Sequence, residues 1–262
     1  MNHNNQIYPD VQIGNAILKH GDCLDLMPRL PDHSIHLICS DLPYGTTQCA
    51  WDSIIPLDRL WAEYRRLLAP GGCIVLTAAI PFTAVLASSN IAWLKHDVIW
   101  FKNRPTGHLN ANRAPLRAHE SILVFAPPGG AHTYNPQKTS GHKPTHNFYT
   151  RSSGDCFGKA DSKCSGGGST ERFPTSIQKF DCVPNSGSER IHPTQKPLNM
   201  MEWIILTYSN VGDCVLDNCF GSGVTALASM RLGRQFIGIE MNAVYFGKAF
   251  DRLHKSVMSV AA

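Results

Sequence analysis

The stretch Val215-Leu216-Asp217-Asn218-Cys219-Phe220-Gly221-Ser222-Gly223-Val224-Thr225 decides the fold of this chain. The apolar run that ends in Asp217 predicts a buried strand, and residues 224–232 predict a helix. The glycines between them let the backbone approach a ligand closely, and the start of the helix offers unpaired N–H donors. Glu240 ends the next predicted strand. Its separation in sequence from the glycine turn is about that of the acidic residue that binds a ribose hydroxyl in nucleotide-binding folds. The unit therefore predicts a site for an adenosine-type cofactor.

Asp217 discriminates between two cofactors of this type. A dinucleotide site usually has a third glycine, and Ala226 at that position is a tolerated variant that does not exclude NAD. A carboxylate beside the turn would repel a pyrophosphate, whereas it suits the ammonium and sulfonium groups of S-adenosylmethionine (SAM). The pattern favours SAM, and a strand-end cap is the alternative interpretation of Asp217.

Strand-like and helix-like segments alternate along most of the chain, which is typical of a mainly parallel sheet with helices on both faces. Seven segments are predicted to be strands: Ala16–His20, Ile35–Cys39, Cys73–Thr77, Asp97–Phe101, Ser121–Phe125, Cys214–Asp217 and Phe236–Glu240. Five are predicted to be helices: Leu57–Leu68, Phe82–Ser88, Leu198–Ser209, Val224–Leu232 and Ala243–His254. The prediction is an α/β, Rossmann-like fold with a seven-stranded mixed sheet.

Residues 127–190 interrupt this alternation. They are rich in Gly, Ser, Thr, Pro and His, with few periodic apolar residues, and they are too long for an ordinary connection within a domain. We therefore expect an inserted region at 127–190 between two halves of one domain, 1–126 and 191–262.

Composition sets the broad class. Hydrophobic residues make up 43% and charged residues 17%, which is typical of a globular protein, and the net charge of +4 is compatible with nucleic-acid binding without requiring it. No apolar run is long enough for a membrane span and residues 1–6 lack the features of a secretory signal, so we expect a cytoplasmic protein with no membrane partner. The nine cysteines contain no Cys-x-x-Cys pair. A zinc site from Cys156, Cys164 and Cys182 matches no common spacing, so no metal is expected.

Asp41-Leu42-Pro43-Tyr44 directly follows the second predicted strand, so Asp41 should project into the ligand crevice. The exocyclic amine of a base is a poor nucleophile, because its lone pair is delocalised into the ring. Two acceptors, the Asp41 carboxylate and the Leu42 carbonyl, can draw its nitrogen towards tetrahedral geometry, and Tyr44 can stack on a base extruded from the duplex. Taken alone, the tetrapeptide favours an ordinary Asp-x-Pro turn with Tyr44 as a core residue.

These two motifs together resemble those of SAM-dependent DNA amino-methyltransferases. Asp41-Leu42-Pro43-Tyr44 is similar to their Asp-Pro-Pro-Tyr motif, and the segment 217–225 is similar to their SAM-binding motif. The order, catalytic motif first, is that of the permuted β group, and the segments 21–23, 119–120 and 192–197 extend the resemblance. It implies base flipping, a catalytic half at 1–126, a target-recognition region at 127–190 and a SAM-binding half at 191–262.

The resemblance also implies a role for each matching residue. Asp22 and Cys23 are expected near the adenine ring of SAM, Phe220 is expected beside the cofactor, and Glu240 is expected at the ribose. The methionine part of SAM is expected to be surrounded by Gly221, Ser222, Gly223 and Thr225, which follow Asp217. Its carboxylate is expected near Thr194, Gln195 and Lys196. Each has an ordinary alternative as a turn, core or solvated residue.

Leu42 departs from the family, which usually has a proline at this position, so the catalytic loop should be less rigid. Asp41, where other members carry Ser, resembles the enzymes that methylate adenine N6 in double-stranded DNA. Cytosine-N4 methylation is the nearest alternative, and a catalytically silent DNA-binding module is another. A homodimer remains open, as do restriction-modification, orphan and phage roles.

One predicted loop combines cations with amide groups and histidine. Lys102, Arg104, His108, Asn110 and Arg113 lie in it, and such side chains suit phosphates and base edges. We expect them to bind DNA, with a solvated surface as the alternative.

Overall fold

The computed structural model describes residues 9–47, 49, 52–150, 163–184 and 190–260. Cys156, considered above for zinc, lies outside these ranges. The chain divides into two units, one of residues up to Asn135 and from Ser176 onwards, and a second of Pro136–Thr175. The second unit is narrower than the predicted insertion at 127–190, because both ends of that region belong to the first unit.

The first unit is built on one nine-stranded sheet with the order β1-β2-β11-β10-β3-β4-β6-β5-β9. The strands of the chain are β1 (Val11–Ile13), β2 (Ala16–His20), β3 (Ile35–Ser40), β4 (Leu68–Ala78), β5 (Leu94–Thr106), β6 (Arg117–Phe125), β7 (Thr145–Thr150), β8 (Lys163–Ser169), β9 (Ile177–Phe180), β10 (Cys214–Asp217) and β11 (Gln235–Glu240). The run from β2 to β4 is parallel, whereas β6 pairs antiparallel with both β4 and β5. The fold is therefore the expected mixed α/β sheet.

Two strands of the sheet were not predicted. All seven predicted strands are present, and β1 and β9 raise the strand count of the main sheet from seven to nine. β1 has only three residues and pairs with β2 across a tight turn, and β9 is a four-residue strand beside β5. Both segments are too short for a reliable alternating pattern. In addition, β4 begins at Leu68, so Pro70-Gly71-Gly72 lies within the strand and does not precede it.

Helices cover both faces of the sheet. They are α1 (Cys23–Leu26), α2 (Leu57–Leu67), α3 (Phe82–Ser89), α4 (Leu198–Tyr208), α5 (Val224–Arg231) and α6 (Ala243–Val260). Alternate residues of β3 face different layers: Leu37 belongs to a core cluster with residues of α4, α5 and α6, whereas Ile38 belongs to one with residues of α1, α2 and α3. The central strands are buried on both sides, as a parallel sheet requires.

The pairing of β3 with β10 positions the functional residues. Leu37 is opposite Val215 and Ile38 is opposite Leu216, so the two strands run parallel as direct neighbours. Ser40 and Asp217 at their ends are 177 residues apart in the chain, yet the Ser40 hydroxyl donates a 2.7 Å hydrogen bond to the Asp217 carboxylate. The segments that follow these strands therefore start from the same edge of the sheet.

The second unit contains a two-stranded antiparallel sheet of β7 and β8. An isolated bridge between Thr139 and Arg172 joins the segments that flank this hairpin. Lys138 and Glu171 form an exposed ion pair across the same ends. A pair of strands with exposed flanks has little core of its own.

The described ranges contain neither a candidate membrane span nor a candidate metal cluster. None of the helices there is long and apolar enough to cross a membrane. No three His, Cys, Asp or Glu side chains in those ranges are grouped so that they could hold a metal ion.

Gly223 provides a test of the packing between α5 and α6. Its φ is +70° and an added Cβ would lie 2.9 Å from the Ala249 Cβ, whereas Gly71 has a φ of +76° with open space around it. Gly71→Ala should cost about 1 kcal/mol of unfolding free energy through backbone strain alone. Gly223→Ala should cost about 1–3 kcal/mol more because of the clash. Urea denaturation of both variants measures the difference, and equal losses would contradict this account of the packing.

Candidate functional site

A cavity of about 1060 Å³ opens at the carboxyl edge of the central strands. Its lining includes Asp41 after β3, Asp217 at the end of β10, Gly221 in the turn that follows, and Glu240 at the end of β11. The two motifs that the sequence singled out thus border one space. In an open parallel sheet, ligands bind in a crevice at this edge.

The glycine turn forms one wall of the cavity. Gly221 and Gly223 have φ values of +47° and +70°, in the left-handed region that glycine adopts readily. The Gly221 N–H donates to one oxygen of Glu240 at 2.9 Å, and the Asn242 N–H donates to the other at 2.7 Å. These bonds fix the Glu240 carboxylate beside the turn, where an acceptor for ribose hydroxyls was expected.

Asp217 is buried beneath the turn, with 2% of its surface exposed. Its carboxylate accepts from the Ser40 hydroxyl and from the Cys219 N–H at 3.1 Å. Burial outweighs these hydrogen bonds and raises the pKa of Asp217 to about 6. A cation bound in the cavity would stabilise the ionised form, which agrees with the charge argument for SAM.

The expected adenine-side residues also line the cavity. The Asp22 carboxylate accepts from the Leu24 N–H at 2.8 Å and so caps α1, and Cys23 is buried in the first turn of that helix. Phe220 is buried, and a Cβ on Gly238 would approach its ring to 2.6 Å. The absence of a side chain at Gly238 therefore makes room for the Phe220 ring against β11.

The segment before α4 places its first two expected residues near the glycine turn. Gln195 accepts a 3.1 Å hydrogen bond from Arg252, whose guanidinium also donates to the Ser222 carbonyl at 2.9 Å. Thr194 is exposed and lies beside the His192 ring, with 3.1 Å between its hydroxyl and Nδ1. Burial lowers the pKa of His192 to about 4, so this ring is neutral near pH 7. Ser222 and Thr225 are buried in the cavity lining, at the turn and in the first turn of α5.

Asp41 is held by three side chains. The Tyr44 hydroxyl donates to Oδ1 at 2.7 Å and the Thr77 hydroxyl donates to the same oxygen, while Lys196 Nζ lies 2.6 Å from Oδ2. The Tyr44 ring stacks on Phe82 with 5.3 Å between centroids. Asp41 and Tyr44 therefore form one rigid group at the cavity wall.

Lys196, which was expected near the SAM carboxylate, lines the cavity and lies between two carboxylates of the protein. Its side chain is 6% exposed, and its ammonium contacts Asp41 at 2.6 Å and Glu120 at 3.4 Å. Lys102 contacts the other Glu120 oxygen at 2.6 Å. Burial disfavours the charge on Lys196, but the two carboxylates outweigh it and raise its pKa. Likewise, burial of Glu120 is outweighed by the two ammonium groups, which lower its pKa. Alternating charges thus run from Asp41 to Lys102.

The loop after β3, residues 41–47, is stiffened by packing and by Asp52. The Leu42 side chain is buried, with 3% exposed, in the core cluster that includes Ile38. The Asp52 carboxylate accepts hydrogen bonds of 2.7–2.9 Å from the four consecutive N–H groups of residues 44–47. Burial raises the pKa of Asp52, but the hydrogen bonds that it accepts outweigh this effect and lower it. These contacts compensate for the absence of the first proline.

The five residues expected to bind DNA separate into two groups. Arg104, His108, Asn110 and Arg113 are exposed, and the first two border the cavity. Lys102 is buried, with 6% exposed, and is engaged by Glu120. The geometry therefore places Lys102 inside the site and not on a surface that could meet a phosphate.

Sequence reasoning missed three residues of the site. Thr77 lies near the carboxyl end of β4, next to β3, so its position at the same sheet edge was a usable signal. Glu120 belongs to a segment that carried the family resemblance, but without a role. Asp52 had no signal, because its partners are backbone N–H groups that any sequence provides.

Comparisons with known proteins give a consistent result. Residues 35–251 match the model of the N6/N4 methyltransferase family, described as DNA methylase. The type II methyltransferase M.HinfI of Haemophilus influenzae is 27% identical over an alignment of 270 positions, which covers 92% of this chain and 68% of the relative. The solved structure of the M1.HpyAVI–SAM complex has a TM-score of 0.61 and 26% identity, covering 91% of this chain and 98% of that chain. The cytosine-N4-specific PvuII DNA methyltransferase has a TM-score of 0.70 over 97% of this chain and 95% of that chain, but its 15% identity indicates a shared fold alone.

Replacement of Asp217 by Asn should increase the stability of the protein and weaken SAM binding. Because the pKa of Asp217 is raised to about 6, its contribution to stability is fully present below the unfolded pKa of 3.8 and is lost as the pH rises through 6. Asp217→Asn should therefore raise the unfolding free energy at pH 7.5 by about 1–3 kcal/mol and by less at pH 5. It should also weaken SAM binding. Urea denaturation and calorimetric titration with SAM measure both effects.

The exposed Asp251 on α6 provides the matched control, and Asp251→Asn should change neither quantity. A loss of stability in Asp217→Asn that is equal at both pH values would contradict the assignment.

Proposed function

The chain belongs to the N6/N4 family of DNA methylases, and we propose that it methylates the N6 amino group of adenine within a specific sequence of double-stranded DNA. S-adenosylmethionine is the methyl donor, as in the related structures solved with it. The observation that carries the proposal is that Asp41 and the Gly221–Gly223 turn border the same cavity.

The residues around the cavity fit SAM. The buried Asp217 carboxylate suits its positive groups, the Glu240 carboxylate stands at the ribose position, and Phe220 and Cys23 provide apolar surface for the adenine ring. When bound, SAM supplies an activated methyl group whose sulfonium charge disappears on transfer. We propose these residues as the cofactor site, together with the Gly221–Gly223 turn, Asp22, Thr194, Gln195 and Thr225.

Asp41 and Leu42 act on the amino group of the target base in this proposal. The Asp41 carboxylate and the Leu42 carbonyl accept its two N–H groups, which turns the nitrogen lone pair towards the methyl group. Pro43 restricts the loop, and Tyr44 holds Asp41 and faces the flipped base. Direct in-line transfer then depends mainly on positioning, which can contribute a large part of the rate enhancement.

The proposed DNA contacts are made by those predicted DNA-binding residues that are exposed to solvent. We propose that Arg104, His108, Asn110 and Arg113 contact the duplex, since they are exposed near the end of β5 and in the segment that leads to β6. Arg104 and His108 also border the cavity. We also propose that the region 127–190, whose central part is the separate unit Pro136–Thr175, recognises the target sequence. Residues 1–126 and 191–262 form the catalytic and SAM-binding halves.

Substitution of Asp41 should separate catalysis from cofactor binding. Asp41→Ala should reduce methyl transfer by at least about a hundredfold, because an acceptor aimed at the reacting group is lost. SAM affinity should change less than about threefold, since Asp41 is assigned to the base and not to the cofactor. Tritium transfer from labelled SAM to unmethylated DNA and calorimetric SAM titration measure the two effects. The exposed Asp32, replaced by Ala, is the control, and near-normal turnover of Asp41→Ala would refute the role.

The same transfer assay identifies the product. Nucleoside analysis of the methylated DNA should give N6-methyladenine, and sequencing of the modified positions should give the recognition sequence. The expectation of adenine rests on Asp41 at the first motif position. N4-methylcytosine would favour the alternative target, and no incorporation by the folded wild-type protein would favour a silent SAM- and DNA-binding module.

A further inference from the structure

The Asp41 carboxylate has no oxygen free of a partner. Oδ1 accepts from Tyr44 and Thr77, and Oδ2 is engaged by Lys196 at 2.6 Å. The amino group of a target base needs one of these oxygens as its acceptor. Since Oδ1 already holds two hydroxyls that belong to the rigid wall of the site, Oδ2 is the oxygen that the base must gain.

Lys196 therefore competes with the base for Oδ2. The Lys196 side chain is 6% exposed, so its ammonium cannot be released without another anionic partner, because an unpaired buried charge is strongly unfavourable. The Lys196 ammonium also lies 5.6 Å from the centroid of the Tyr44 ring, the ring assigned to the flipped base. It thus lies close to both residues that are assigned to the flipped base.

Glu120 offers the alternative partner. Its Oε1 accepts from Lys102 at 2.6 Å, while the buried Oε2 makes no hydrogen bond of normal geometry within the described ranges. Lys196 Nζ is 3.4 Å from this oxygen. A shift of at least about 0.6 Å would bring the ammonium to the distance of a charge-assisted hydrogen bond with Glu120.

We propose that Glu120 is a positioning residue that takes over the Lys196 ammonium when the target amino group binds Asp41. In the free protein Lys196 occupies Asp41 Oδ2; in the complex it bonds Glu120 Oε2 and the amino group takes its place. Lys102 keeps Glu120 ionised and fixed throughout. The four charges stay balanced in both arrangements, so the exchange needs no proton transfer. This inference rests on the proposed function, because it assigns Asp41 to the amino group.

The exchange predicts a specific binding defect in Glu120→Gln. A neutral amide binds an ammonium less well, so Lys196 should stay on Asp41 and oppose the amino group. The test uses duplexes of the recognised sequence whose target position carries the normal base, its analogue without the amino group, or no base. Binding is measured with S-adenosylhomocysteine present, so that no transfer occurs.

In Glu120→Gln, the preference for the amino-bearing base over its deaminated analogue should fall about tenfold, and kcat should fall with it. Affinity for the abasic duplex and for SAM should change less than about twofold. Glu63→Gln, which removes a carboxylate paired with Arg66 on α2, is the matched control and should leave every value unchanged. Equal weakening towards all three duplexes would overturn the proposal, since it would indicate a structural role.

Removal of the competitor supplies the second variant. In Glu120→Gln/Lys196→Gln nothing opposes the amino group at Asp41, so the preference should recover to at least the wild-type value. Lys196→Gln alone should raise the preference, which keeps the proposal testable if Glu120→Gln does not fold. A lower preference in Lys196→Gln would overturn the proposal. Failure of the wild-type protein to methylate any DNA would instead refute the proposed function.

Discussion

The parallel pairing of β3 with β10 is the constraint on which the rest of the structure depends. It brings the carboxyl ends of two strands from opposite parts of the chain to adjacent positions, so that Asp41 and Asp217 start from one edge of the sheet. Both strands are buried on their two faces, and their register is therefore set by two layers of core packing. A slip of one residue would exchange the faces and separate the two motifs.

The electrostatics of the cavity follow from this geometry. Asp41, Asp217 and Glu240 bring three carboxylates to one cavity, and each is stabilised in a different way. Asp41 is paired with Lys196, Glu240 accepts backbone N–H groups, and burial raises the pKa of Asp217 to about 6. The only one of the three held by a cation is the one assigned to the reacting base. The cofactor side thus keeps a negative character that suits a positively charged ligand.

Rigidity of the loop 41–47 comes from contacts that a motif comparison does not reveal. The replacement of the usual proline by Leu42 suggested a looser loop. The Leu42 side chain is instead anchored in the core, and Asp52 gathers four consecutive N–H groups of the loop around one carboxylate. Backbone restriction by a ring is replaced by apolar burial and by charge-assisted hydrogen bonds.

The sequence by itself determined the alternation of strands and helices, the seven central strands, and the two motifs at strand ends, because these depend on local periodicity and turn chemistry. It also determined the type of cofactor, since the glycine turn and its acid lie within 11 consecutive residues, Val215 to Thr225. The short strands β1 and β9 were not predicted from the sequence, because three or four residues are too few to show an alternating pattern of polar and apolar residues. Only the tertiary structure decided the partner of Lys196, which is 155 residues from Asp41 in the chain. Ion pairs and hydrogen bonds require contact at about 3 Å, and that distance is set by the packing of the whole sheet and not by neighbours in the sequence.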